Sequence, residues 1–175
     1  DLETLEHICV TIFDSMKKVH GLGKRERLLL RIAALLHDCG KYISMVNLGE
    51  CSYSIVMATE IIGLSHRERE IVANVVKYNH QDFDYYEELG TTTTLDTQSY
   101  LTIAKLTAIL RLANSMDRSH RGKLADCRMS IREGELVITT GYEGDIALEA
   151  MSFEQKADFF EEIYGIRPVL RQKRR

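Results

Sequence analysis

Apolar residues recur at helical spacing through most of the chain and change to short alternating runs near its end. Leu5, Ile8, Cys9, Ile12, Phe13, Met16 and Val19 form one stripe, which predicts an amphipathic helix over roughly residues 2–19, stopped at Gly21 and Gly23. Leu28, Leu29, Ile32, Leu35 and Leu36 predict a second, largely buried helix from about Lys24 to His37. Residues 39–50, with Gly40, Asn47 and Gly49, read as a loop, and residues 51–62 as a third helix closed by Gly63. Ser65 and Glu68 stand at capping-box spacing and open a fourth helix that runs to about Tyr78. A long polar loop is expected over 79–98, with Phe83, Tyr85 and Tyr86 packing onto the helices and Thr91 to Thr94 within it. Asp96 or Thr97 then caps a fifth helix over roughly 98–117.

The period shortens after Gly122. Met129–Arg132 and Glu135–Thr139 flank Glu133-Gly134 and predict a hairpin, and Asp145–Ala150 reads as a further strand. Ser152 and Gln155 are expected to cap a helix that carries Phe153, Ala157, Phe159, Phe160 and Ile163 and stops at Gly165; residues 167–170 return as a strand. The expected fold is therefore mainly α: a helical bundle over 1–124, then a small α+β unit over 125–171. Residues 172–175 are expected to be a disordered charged tail.

Composition narrows the setting. A chain of 175 residues suffices for one well-buried domain with a small appendix. A net charge of −3 argues against nonspecific nucleic-acid binding, and no run reaches the roughly 18–20 apolar residues of a membrane span. Cys9, Cys39, Cys51 and Cys127 are scattered without metal-site spacing, so free thiols in a reducing cytoplasm are expected. A start at Asp1 without Met, soon in helical pattern, is what a fragment of a longer protein presents.

Candidate chemistry gathers at helix ends. His37 and Asp38 follow the apolar run of the second helix, where burying either without a partner costs several kcal/mol. Both offer lone pairs to a divalent metal such as Mg, Mn or Zn. His7 lies beside the stripe of the first helix, and Asp117 ends the fifth, where a carboxylate opposes the helix dipole. If those helices pack together, His7, His37, Asp38 and Asp117 make a two-imidazole, two-carboxylate set that leaves room for water or a phosphate oxygen. Lys41, Arg111, Arg118, His120, Arg121 and Lys123 add local positive charge that suits a phosphate-bearing ligand. Lys41, Arg111, Arg118 and Arg121 are the phosphate-binding candidates. Asp38, Lys41 and Arg118 are the candidates for catalysis.

The order His…His-Asp…Asp resembles the signature of the HD phosphohydrolases. The blocks AALLHDCGKYIS, GLSHREREIVANVVKYNH and LTAILRLANSMDRSHRGK, with FFEEIYGIRPVL near the end, are similar to the C-terminal region of the Ppx/GppA family. That family comprises exopolyphosphatases and guanosine pentaphosphate phosphohydrolases, and the likeness runs from about His7 to Leu170. The resemblance implies an HD-type module whose parent protein carries N-terminal actin-like domains that bind and hydrolyse the phosphate chain. It implies polyphosphate or a guanosine polyphosphate as ligand and a homodimer as possible assembly; from the charge and the lack of a long apolar run, no membrane or specific nucleic-acid partner is expected.

Cys51 departs from the pattern. Related sequences place a His before the Ser-Tyr matched here by Ser52-Tyr53, and two-metal HD enzymes draw ligands from about this place and from a position like His80. A thiolate suits zinc better than Mg²⁺ or Mn²⁺, so one metal rather than two is expected. Three readings follow: the accessory HD module of a Ppx/GppA-type enzyme, an autonomous metal-dependent HD phosphohydrolase acting on a nucleotide or phosphate ester, and a non-catalytic nucleotide-binding or dimerisation module.

Overall fold

The computed structural model describes residues 2–85 and 95–173. Its architecture is mainly helical with a small three-stranded sheet near the C-terminus. The chain divides into two compact units, one of Lys24–Thr107 and one of Asp1–Gly23 with Ala108–Arg175. This division follows contacts, whereas the boundary at 124 expected from the sequence follows the change of period.

In the unit Lys24–Thr107, α3 (Lys24–Leu36) buries Leu29, Leu30, Ala33 and Ala34. A 3-10 turn (Cys39–Tyr42) follows it, then α4 (Leu48–Ala58) and α5 (His66–Tyr78). α4 begins three residues before the position expected and ends at Ala58, so Gly63 does not close it. The reason lies at Gly49, which reads as loop punctuation but is buried inside the helix. A Cβ there would lie 2.9 Å from the Lys77 carbonyl oxygen and 2.5 Å from Gln81 Oε1, so the packing of α4 against the end of α5 requires glycine. The expected capping box is complete: Ser65 Oγ accepts from the Glu68 amide at 3.1 Å, and Glu68 Oε1 accepts from the Ser65 amide at 3.0 Å. Arg25 on α3 donates to both Glu68 oxygens, at 2.8 and 2.9 Å, and to the Gly63 carbonyl, tying the start of α5 to α3. Of the expected aromatic group, Phe83 is buried 4.7 Å from the Tyr78 ring and 5.5 Å from that of Tyr100. Tyr86 and the threonine run lie outside the described residues. α6 (Thr97–Met116) starts as expected, with Asp96 Oδ1 accepting from the Ser99 amide at 2.7 Å.

In the other unit, α1 (Leu2–Ser15) buries Leu5, Ile8, Cys9, Ile12 and Phe13. The expected single helix over 2–19 is broken at Met16, and a four-residue α2 (Lys17–His20) follows, ended by Gly21 at φ +63°. Ser15 bonds back to the Thr11 carbonyl at 2.8 Å, a competing bond of the kind that bends helices. The hairpin β1 (Arg128–Arg132) and β2 (Glu135–Thr140) forms as expected, Glu133 and Gly134 both taking positive φ in the turn. Asp145–Ala150 is not a strand. Asp145 Oδ1 accepts from the Ala147 amide at 2.8 Å and starts α7 (Ala147–Tyr164) there, leaving Ser152 inside the helix rather than at its cap. Phe153, Ala157 and Phe160 then share one buried face. β3 (Arg167–Gln172) pairs in parallel with the central β2, so β2, α7 and β3 form a crossover unit, and Pro168 sits on an edge strand where its missing N–H is harmless. The end expected to be disordered is structured through Lys173: Arg171 and Gln172 pair with Thr139 and Thr140, and the Lys173 amide donates to the Thr140 carbonyl at 2.9 Å. Residues 174 and 175 lie outside the described residues. No helix among the described residues is long and apolar enough to cross a membrane.

Candidate functional site

α3 ends at Leu36, so His37 and Asp38 are the first residues its buried face delivers past the helix end. His37 is buried, and its Nδ1 donates to the Ala34 carbonyl at 2.8 Å. That bond fixes the tautomer and leaves Nε2 with its lone pair, 4.0 Å from Asp38 Oδ2. Asp38 is half-buried and meets the Lys41 ammonium at 3.1 Å. Burial pushes its carboxyl up, but Lys41 together with the His37 and His80 imidazoles outweighs this and holds it below the ordinary carboxylate range. The carboxylate is therefore ionised at neutral pH.

The turn after the doublet is pinned from α4. The Gly40 amide donates to Ser52 Oγ at 3.0 Å, and a Cβ at Gly40 would stand 2.7 Å from the Ser52 backbone nitrogen. The same Cβ would come within 3.0 Å of Cys51 Cβ, which places the Cys51 side chain beside this turn. His80, two residues past α5, donates from Nε2 to the His37 carbonyl, and the two imidazole rings lie 6.4 Å apart and 24° from parallel. Burial, the largest influence, pushes the His80 imidazole below the usual histidine range, so it stays neutral with its lone pair on Nδ1. In the sequence His80 stands out through the family resemblance, as a position from which two-metal HD enzymes draw a ligand, and as a histidine just past the end of a strongly capped helix.

Asp117, His7, Arg111, Arg118 and Arg121 belong to the other unit. Asp117 is 4% exposed, and its Oδ1 accepts from the Gly122 amide at 3.1 Å while its carbonyl accepts from the His120 amide at 2.9 Å. A carboxylate at a helix C-terminus opposes the dipole, and here the Gly122 amide that follows helps compensate it. Gly122, at φ +62°, lies against the first turn of α1: a Cβ there would meet Thr4 Oγ1 at 3.7 Å. His7 is exposed one turn further along that helix. Arg118 and Arg121 are exposed. Arg111 is half-buried with its guanidinium 4.5 Å from the Phe159 ring centroid, an aromatic contact that the sequence did not announce.

The donors suit a divalent cation in kind, since one oriented imidazole nitrogen adjoins an ionised carboxylate. Among the described residues no group of three or more His, Cys, Asp or Glu is gathered into a metal-holding set. A cation taken by Asp38 would also have to share its carboxylate with Lys41. The chain's similarity to known proteins bears on this site. Residues 3–157 match the family model described as Ppx/GppA phosphatase, domain III. Comparison with curated proteins returns no match.

Proposed function

The chain belongs to the Ppx/GppA phosphatase family, matching its domain III, and on that premise we propose that it is an accessory HD-type module that binds a phosphate-rich ligand and one divalent cation. The ligand class is polyphosphate or a guanosine polyphosphate. The observation that carries the reading is the His37–Asp38 pair, in which the Nδ1 bond to Ala34 turns a lone pair on Nε2 toward an ionised carboxylate. His7 and Asp117, the further ligands expected from sequence order, are included in the proposal on that order alone. A cation bound here supplies Lewis acidity and an acidified water. Asp38 holds its negative charge at neutral pH and Lys41 stands beside it; in this reading the exposed Arg118 and Arg121 grip phosphate oxygens in bidentate fashion.

Calorimetric titration of the purified chain with Mn²⁺, Mg²⁺ and Zn²⁺ tests the cation, with Asp38→Asn and His37→Gln as variants. The expectation is one site, weakened about tenfold or more in either variant. Absence of binding under saturating Mn²⁺, Mg²⁺ and Zn²⁺ would overturn the ligand assignment. Hydrolysis assays on polyphosphate and pppGpp separate the accessory module from an autonomous enzyme: metal-dependent turnover lost in Asp38→Asn establishes the enzyme.

A further inference from the structure

The most buried carboxylate among the described residues is Glu149, 1% exposed in the first turn of α7. The site described above does not use it. Its Oε1 accepts from Ser119 Oγ at 2.5 Å and lies 3.8 Å from Lys123 Nζ. Lys123 in turn donates to the Asp145 carbonyl at 2.8 Å. The other oxygen, Oε2, is buried without a hydrogen-bond partner among the described residues.

Stability alone is a poor reason for such a residue. A helix that only needed to pack would do as well or better with an apolar side chain, because burying a charge and leaving one of its oxygens unpaired both cost free energy. What Glu149 does is grip Ser119 and Lys123, which bracket Arg121 and adjoin Arg118. The buried Asp117, just before the loop, also grips the Gly122 amide. Within the loop His120 takes φ +57°, a left-handed conformation that a non-glycine residue adopts at a cost and keeps only where its surroundings impose it. The loop is thus held at Ser119, Gly122 and Lys123 while its two arginines are exposed.

We propose that Glu149 is a positioning residue: through Ser119 and Lys123 it fixes the 118–123 loop in the conformation in which Arg118 and Arg121 receive a phosphate-bearing ligand. This rests on the phosphate reading above. Preorganised side chains escape the ordering cost that a mobile loop would incur on binding.

The sign of the effect identifies it. Glu149→Gln removes a negative charge from the residue that holds the arginine-bearing loop, so a purely electrostatic role predicts tighter anion binding, whereas a positioning role predicts weaker binding. The experiment is calorimetric titration of the full chain with inorganic tripolyphosphate, comparing wild type with Glu149→Gln, Ser119→Ala, the double variant and Arg118→Gln. Affinity is expected to fall about fivefold to tenfold in each single loop variant, Glu149→Gln losing its hold on Lys123 and Ser119→Ala the hydrogen bond, and to fall less than additively in the double variant, since both loosen one latch. The slope of affinity against salt should stay as in wild type for these variants and become shallower in Arg118→Gln, which alone removes a phosphate-facing cation. Ser119 is half-buried, so Ser119→Ala keeps the test open should the Glu149 variant not fold. Wild-type or tighter binding by Glu149→Gln and Ser119→Ala, with binding lost in Arg118→Gln, overturns the positioning role alone. Failure of the unaltered chain to bind tripolyphosphate overturns the phosphate reading, and the positioning role with it.

Discussion

At Gly40 a single hydrogen atom decides whether the His37–Asp38 turn can close against α4. With a Cβ 2.7 Å from Ser52 Oγ and from its backbone nitrogen, Gly40→Ala must shift backbone, not merely a flexible side chain. It should cost about 1–3 kcal/mol, as overpacking does, read as a lower urea midpoint. Unchanged stability would show that the turn is free to move. The residue pattern reads Gly40 as part of a loop; the structure puts it, buried, in the 3-10 turn Cys39–Tyr42, packed too closely against Ser52 for any Cβ. His37 was legible as a candidate because an imidazole after an apolar helical run is conspicuous. The bond from its Nδ1 to Ala34, which makes the residue a usable donor, is a fact of backbone geometry that no residue pattern states. His80 and Glu149 were harder still, since each matters through a partner distant in sequence: His37 lies 43 residues from His80, and Ser119 lies 30 residues from Glu149.

Elements with their own local signals were the readable ones. The Ser65–Glu68 box specifies the start of α5, and the structure adds Arg25 to it. Arg25 first, and then the backbone of Ser65, hold the Glu68 carboxyl down at about 2. The carboxyl titrates near about 4.3 in an unfolded chain, so its folded value is depressed. Its contribution is then complete above about pH 4.3 and is lost as pH falls from there toward about 2. Glu68→Gln should therefore cost about 1 kcal/mol at neutral pH, with most of the gap to wild type closing by pH 2. Urea unfolding of both proteins at several pH values measures this, and a gap constant with pH would refute the assignment. α7 shows the opposite case. Its first turn, Ala147–Ala150, has an alternating look, and only the Asp145 side chain, bonding the Ala147 amide, sets the start there. Its buried face is testable through Phe160, which is 0% exposed. Phe160→Ala should destabilise by about 3–5 kcal/mol, with faster amide exchange in α7 and β3.

For the molecule as a whole, charge and cation binding link function to stability. A net charge of −3 does not prevent anion binding when arginines are grouped on one loop, because screening makes such interactions local. If the doublet takes a cation only when folded, a free metal concentration of about 100 times Kd should add about 2.7 kcal/mol to the unfolding free energy. Thermal unfolding with and without Mn²⁺ measures that gain, which should vanish in Asp38→Asn. An equal gain in the variant would place the cation elsewhere.

By itself the sequence determined the local structure: most helices, the hairpin with its Glu133-Gly134 turn, the capping box, and the family, whose domain III model spans residues 3–157. These follow from periodicity and from short-range hydrogen bonds, which depend on residues a few positions apart. Only the tertiary structure decided where α4 and α7 begin, that His80 meets the His37 backbone, and that a buried glutamate latches the arginine-bearing loop. Apart from the start of α7, which one local bond from the Ala147 amide to Asp145 settles, each of those rests on the close approach of segments far apart in the chain, where one Cβ or one carboxylate oxygen decides the outcome.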